Sequence, residues 1–310
     1  MHIPTHPESP VMTSRKALTL AVLAATGLVL SLASSFPAIA IALQSYEPLP
    51  LAALRLTLAA IAGVVFLVVT RPQRIDGRSA VLVMAAGLLV SAAFVLGNTG
   101  QLTVSIGAAS FLLGMQPLYM ALFSVLLLRE VFGPRNWLGL GVSLAGLALI
   151  SVGQPAGLQF GAGATLLVGA AVSNAAAALL QRPLLAIFDP LRTSALIFIA
   201  GAFWLSPWLV QGIQQLSAAP VAPTLAVVFL ALVPTFAGQI CLAYTIRFLG
   251  VARAGVMFYL IPVVATVIAW VGLGQRPELA TLAGGACVLV GVVLASRIRR
   301  SQRVEASETS

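Results

Sequence analysis

The feature that most limits what this chain can become is a succession of long uncharged apolar runs. Short connections between them hold almost all of its arginines. Each run has the length of a helix that crosses the hydrocarbon core of a bilayer, about 20 residues. The runs predict spans near 17–43, 49–70, 79–99, 104–128 and 136–153 in the first half. They predict 163–181, 193–212, 224–246, 254–274 and 279–296 in the second. Only 8% of the 310 residues are charged, against about a quarter in soluble domains. The mean hydropathy of +1.04 therefore places the chain in lipid. No polar stretch is long enough for a separate soluble domain.

The basic residues give an independent check on the number of spans. With alternating spans, Arg15, Lys16, Arg71, Arg74, Arg78, Arg129 and Arg135 lie on one side. Arg182, Arg192, Arg247, Arg253, Arg297, Arg299, Arg300 and Arg303 join them. That is fifteen of the seventeen basic residues; the other side receives Arg276, and Arg55 falls inside the second run. Basic residues collect on the cytoplasmic side, so both termini are expected there. One span more or fewer would scatter the arginines. The formal charge of +9 is then a set of orientation charges, and nucleic acid is not an expected partner. The first run follows Arg15 and Lys16 as in a signal peptide, but its 27 uncharged residues exceed a signal-peptide core. The charge pattern also needs it retained.

A shift of 145 residues brings Pro117 onto Pro262, Leu128 onto Leu273, Gly139 onto Gly284 and Gly146 onto Gly291. Paired prolines and glycines inside apolar runs carry this match. The shift crosses five spans, an odd number, so the second copy is inverted. The expected fold is an all-α integral membrane protein with ten transmembrane helices in two inverted five-helix repeats. Its expected parts are a disordered cytoplasmic tail at 1–14, a first repeat at 15–153 and an external linker at 154–162. A second repeat at 163–300 and a cytoplasmic tail at 301–310 complete it. Inverted repeats point towards alternating-access transport, because two similar halves of opposite sense can exchange conformations.

In this setting Pro50-Leu51-Ala52-Ala53-Leu54-Arg55-Leu56 resembles the second helix of the drug/metabolite transporter superfamily, EamA type. Gln116-Pro117-Leu118, Leu126-Leu127-Leu128-Arg129-Glu130, Gly139 and Gly146 resemble its fourth and fifth helices, and Ile261-Pro262-Val263, Gly284 and Gly291 repeat the pattern. The resemblance covers about residues 17–296. It implies a ten-helix carrier of amino acids or other small metabolites, often an exporter. Leu32-Ala33 stands where the family often has Trp-Gly. Gln275 stands where symmetry with Glu130 would place an acid.

The expected substrate-pathway residues are Arg55, Gln116, Asn174, Gln239 and Tyr259. Arg55 lies about 7–8 Å inside the external end of its helix. An arginine at that depth faces a wet cavity or the bundle interior, or it snorkels outward and pairs with Glu47. In a cavity it would suit a carboxylate or a phosphate. The amides of Gln116, Asn174 and Gln239 lie near mid-depth, as cavity lining or as glue between helices. Tyr259 and Tyr119 serve an aromatic cavity wall or plain packing. Pro117 and Pro262 are expected helix kinks that strip the carbonyls of Leu113 and Phe258 of their helical donors. Gly139 and Ser143, Gly291 and Ala295, and Gly87 and Ser91 have the four-residue spacing that lets helices approach closely.

Intramembrane catalysis would need paired aspartates, a Ser/His or Ser/Lys pair, or a His/Asp metal cluster. The only histidines are His2 and His6, and no acid is central in a run, so the chain is not read as an enzyme. Cys241 and Cys287 have no metal or disulfide spacing. No cofactor or metal is expected. The expected partners are a small-molecule solute and the lipid bilayer of the inner membrane, with the protein a monomer or homodimer. The expected function is movement of a small polar metabolite, an amino acid or related solute, outward as an uncoupled facilitator. A proton- or sodium-coupled transporter of the same fold, and a non-transporting scaffold or receptor, remain open.

Overall fold

The structure is a computed structural model, and it describes residues 15–70, 74–104, 106–152, 161–264, 267 and 279–296. The two tails, most of the 154–162 linker and Gln275 lie outside the described residues.

Every described element is helical. The first half runs α1 (Arg15–Ala33), α2 (Ser35–Ala42), α3 (Pro48–Val69), α4 (Gly77–Gly100), α5 (Ile106–Leu113), α6 (Gln116–Leu127) and α7 (Pro134–Val152). The second runs α8 (Ala162–Ile187), α9 (Pro190–Leu205), α10 (Leu209–Ala218), α11 (Val221–Leu230), α12 (Gly238–Leu249), α13 (Val251–Val256) and α14 (Leu279–Ser296). A π-helical turn, Ala231–Ala237, joins α11 to α12, and a 3-10 turn, Met257–Tyr259, follows α13 before residues 260–264 continue as helix. Among the described residues, six stretches are long and apolar enough to cross a membrane: Thr19–Ala42, Pro48–Val69, Gly77–Gly100, Ala162–Ile187, Pro190–Ala218 and Val221–Leu249. Phe111–Leu127, Val251–Val264 and Leu282–Ala295 are shorter apolar helices.

The outward faces carry Val65, Val68, Val69, Val81, Leu126 and Val131, all largely exposed. A water-soluble fold would cover such a surface, whereas lipid solvates it at no cost. The interior is built from small residues that let backbones touch. Gly87 has no room for a methyl group against Ala200, and the Ser91 hydroxyl donates to the Gly201 carbonyl at 3.1 Å. A Cβ at Gly63 would sit 2.9 Å from that of Ala195. These contacts fasten α4 and α3 of the first half to α9 of the second.

Another backbone-to-backbone approach joins α7 to α14. A Cβ on Gly139 would lie 2.5 Å from the Gly291 oxygen, and one on Gly146 2.6 Å from the Gly284 oxygen. Ser143 donates to the Val288 carbonyl at 3.4 Å, and Asn136 to that of Ala295 at 2.9 Å. As the number rises along α7 it falls along α14, so the helices are antiparallel. Gly139 and Gly284 are 145 residues apart, as are Gly146 and Gly291. Each contact is therefore the mirror of the other under the repeat. Ser143 touches Val288, its own counterpart, which puts the pseudo-twofold axis through this point. A glycine here does what no other residue can, because the facing backbone occupies the place of a side chain.

Candidate functional site

Between the two halves lies a cavity of 130 Å³. At about 10–15 Å³ of such space per water, it admits on the order of ten water-sized groups. Its walls come from both repeats: α1 and α2 (Leu28, Leu32, Ser35, Phe36, Ile39), Arg55 on α3, and Phe94, Asn98 and Gln101 at the end of α4. Leu113, Gly114 and Gln116 contribute from the α5–α6 junction, and Asn174 and Gln181 from α8. Pro234, Gly238 and Gln239 line it near the π-turn, and Phe258, Ile261 and Pro262 beyond α13.

Four expected pathway residues, Arg55, Gln116, Asn174 and Gln239, thus converge on one cavity. Tyr259 does not line it. Its side chain is fully buried among Ala121, Leu140, Leu147, Val256, Val288 and Val292, beside the α7–α14 contact. Its hydroxyl has no hydrogen-bond partner among the described residues. The 3-10 turn explains the placement, because Tyr259 occupies its last position and Phe258, one residue earlier, takes the cavity side. Packing is the role this position supports.

Arg55 is 5% exposed, and its environment is unlike the expected surface pair. Nε and Nη2 both donate to the Thr235 hydroxyl, at 3.4 and 3.2 Å, and the guanidinium lies 4.5 Å above the Phe94 ring centroid. A ring face under a desolvated guanidinium is worth about 2 kcal/mol. Glu47 is engaged elsewhere, accepting from Gln211 Nε2 at 3.0 Å while its own N–H donates to Gln215 Oε1 at 3.1 Å. Thr235 belongs to the π-turn that Pro234 interrupts. Sequence reading did not single out this turn, although an intrahelical proline was a usable signal.

The helical pattern changes near both prolines. α5 stops at Leu113, Gly114 and Met115 form a turn, and α6 starts at Gln116 with Pro117 in its first turn. Pro117 has no N–H, so the Leu113 carbonyl lacks its helical donor. In the second repeat the 3-10 turn Met257–Tyr259 breaks the helix just before Pro262. It is the counterpart of residues 112–114, so both repeats break at one level. Gln116 Nε2 reaches the Met120 sulfur at 3.6 Å, and the residue lines the cavity.

Two further amides, Asn98 and Gln101, line the cavity without having been among the expected pathway residues. With Phe94 they fall at i, i+4 and i+7, one face of α4. Asn98 Nδ2 donates to the Pro48 carbonyl at 3.1 Å, and Gln101 Oε1 is buried with no partner among the described residues. The cavity extends along this face to the end of the bundle where α4 and α2 finish.

At the opposite end the bundle is fastened. Glu130 Oε1 accepts the Val251 N–H at 3.1 Å and Oε2 accepts the Ala252 N–H at 3.2 Å. One carboxylate from the first half thus caps the start of α13 in the second, where the unpaired N–H groups and the helix dipole favour a negative charge. Gly250 makes the turn at φ +81° directly beneath this carboxylate.

A family model described as the EamA-like transporter family matches residues 19–152 and again residues 161–297. A protein of Streptantibioticus cattleyicolor described as a probable terminal-alkyne amino-acid exporter is 34% identical, across 94% of this chain and 98% of its own length. The uncharacterized transporter YdfC of Bacillus subtilis is 31% identical, across 84% and 85%. An uncharacterized transporter of Archaeoglobus fulgidus is 27% identical, across 86% and 94%. A solved structure shares the fold with a TM-score of 0.71 over 91% of this chain and 97% of its own, at 20% identity.

Proposed function

The chain belongs to the EamA-like transporter family, and from that premise we propose that it carries a small polar metabolite outward by alternating access through the central cavity. It is a multi-pass protein of the inner (plasma) membrane. One observation carries the reading: a single cavity is walled by both repeats at the level where both helices break, and it runs toward one end while Glu130 fastens the other. In the proposed topology the fastened end is cytoplasmic, the ten spans alternate, and both termini are inside. Exchange of the two arrangements across the pseudo-twofold axis would turn the cavity inward.

An amino acid or a related solute fits the cavity's size and its mixture of amides and apolar walls. The relative described as a probable amino-acid exporter supports the same class and direction. We read the protein as an uncoupled facilitator, because coupling to protons or sodium commonly uses an intramembrane carboxylate. No carboxylate is among the described residues that line the cavity. The Leu113 carbonyl is the one feature that favours the coupled alternative, as a sodium ligand.

Reconstitution in liposomes tests this. A labelled amino acid should run down its own gradient and stop at equal concentrations when a proton or sodium gradient is imposed. Accumulation above equilibrium would overturn the facilitator reading, and no flux of any amino acid would overturn the carrier reading. A reporter active only outside the cell should work in the 154–162 loop and fail at Ser310.

A further inference from the structure

The chemistry of the cavity narrows the solute further, on the premise that the protein is a carrier. Among the described residues, Arg55 is the only charged side chain that lines the cavity. Thr235 satisfies Nε and Nη2 on one side, and Phe94 covers one face. Nη1 has no hydrogen-bond partner among the described residues, and no carboxylate among them lies within ion-pair distance. A guanidinium held this deep without a counter-charge is costly. It is a preorganised fork for an anion.

Charge balance selects the anion. A carboxylate pairs with the guanidinium charge for charge, and in a zwitterion it does so while the ammonium takes separate oxygen acceptors. A phosphate brings about two negative charges, which would leave a net negative charge among apolar walls. An amine or a cationic solute would add a second positive charge to a cavity with nothing to offset the first. A neutral sugar would suit the amides but leave Arg55 uncompensated. Leu28, Leu32, Phe36 and Ile39 then offer an apolar wall for the body of the solute. Oxygen acceptors exist for an α-ammonium: the amides of Gln116 and Asn174 and the Leu113 carbonyl.

We propose that Arg55 docks the carboxylate of the transported solute, so that the cavity selects small monocarboxylates with an apolar body, either free or as amino-acid zwitterions, and rejects amines and phosphate esters. The fork and its ring platform set the charge selection, and the α1–α2 wall sets the side chain.

The test is thermal melting of the purified full chain with a matched five-carbon series: norvaline, valerate, norvalinamide, pentylamine and pentyl phosphate. Norvaline or valerate should raise the melting temperature, and the amide, amine and phosphate should not. In Arg55→Gln the apparent affinity for the acid should fall about 10- to 100-fold, the scale of hydrogen bonds to a charged group. Equal stabilisation by norvalinamide or pentylamine, no response to either acid, or undiminished acid binding by Arg55→Gln would each overturn the proposal. The acid–amide comparison on the unaltered chain decides the matter even if the variant does not fold. The carrier reading fails separately. Acids that bind but never cross liposomes would leave the docking intact, whereas flux of a solute with no response to acids would overturn the docking alone.

Discussion

Replacing Gly146 by alanine adds one methyl group where α7 meets α14. Its Cβ would lie 2.6 Å from the Gly284 oxygen and 2.7 Å from the Val288 nitrogen, both backbone atoms that cannot rotate away. Ordinary contact begins near 3.4 Å, so the helices must part by about 0.8 Å, enough to forfeit between a quarter and a half of the dispersion attraction across the seam. The expected cost is about 1–3 kcal/mol, or roughly 2–10 °C of melting temperature for a chain of this size. Gly141, on the exposed face of the same helix, has nothing within 4 Å of an added Cβ and serves as the control. The monodisperse fraction remaining after heating in detergent reads both variants. Gly146→Ala should melt earlier and Gly141→Ala should not. The double variant Gly146→Ala, Gly284→Ala should lose less than the sum of its parts, because one separation relieves both clashes. If Gly146→Ala melts like the unaltered chain, or the double variant is additive, the interdigitated backbone contact is not what holds these helices.

Glu130→Ala removes two charge-assisted hydrogen bonds and should destabilise by about 1–3 kcal/mol, read in the same melting assay, while Glu130→Gln, which keeps one acceptor, should lose less. Single cysteines at Gln116, Asn174 and Gln239, in a Cys241→Ser, Cys287→Ser background, should react with a small hydrophilic thiol reagent; three silent positions beside reactive loop controls would make these amides glue between helices. A cysteine at Tyr259 should stay unlabelled, since that side chain is buried away from the cavity.

What the sequence revealed and what it hid follow from how far each signal reaches. Charge-free runs mark helices through local chemistry, and the described helices overlap those runs, although α8 and α10 extend past them to Ile187 and Ala218. The 145-residue shift reflects a long-range symmetry, yet it is legible because backbone contact permits only glycine at Gly139, Gly146, Gly284 and Gly291. Pro117 and Pro262 are visible as missing donors, but the turn at Gly114 and Met115 is not. Arg55 announced itself by cost alone. Its platform Phe94 and its partner Thr235 did not, because an aromatic or a threonine in an apolar helix is ordinary until another helix brings a charge to it. Tyr259 shows the converse: a polar ring at the right depth faces the seam because a 3-10 turn rotates it there. Glu130 is legible in sequence as part of a family-like run and as the counterpart of Gln275, but its contact is not. Its role depends on α13, 121 residues away in sequence, arriving N-terminus first.

The central claim is that solute crosses by opening the Glu130 end of the cavity while the other end closes. Cysteines replacing Glu130 and Val251, joined by a short bifunctional thiol reagent in the chain without Cys241 and Cys287, would hold that end shut. Counterflow of labelled norvaline in proteoliposomes is the most direct measurement. The account predicts that counterflow stops on cross-linking, returns when the linker is cleaved, and leaves norvaline binding in detergent intact. Counterflow that continues unchanged through the cross-link would contradict it.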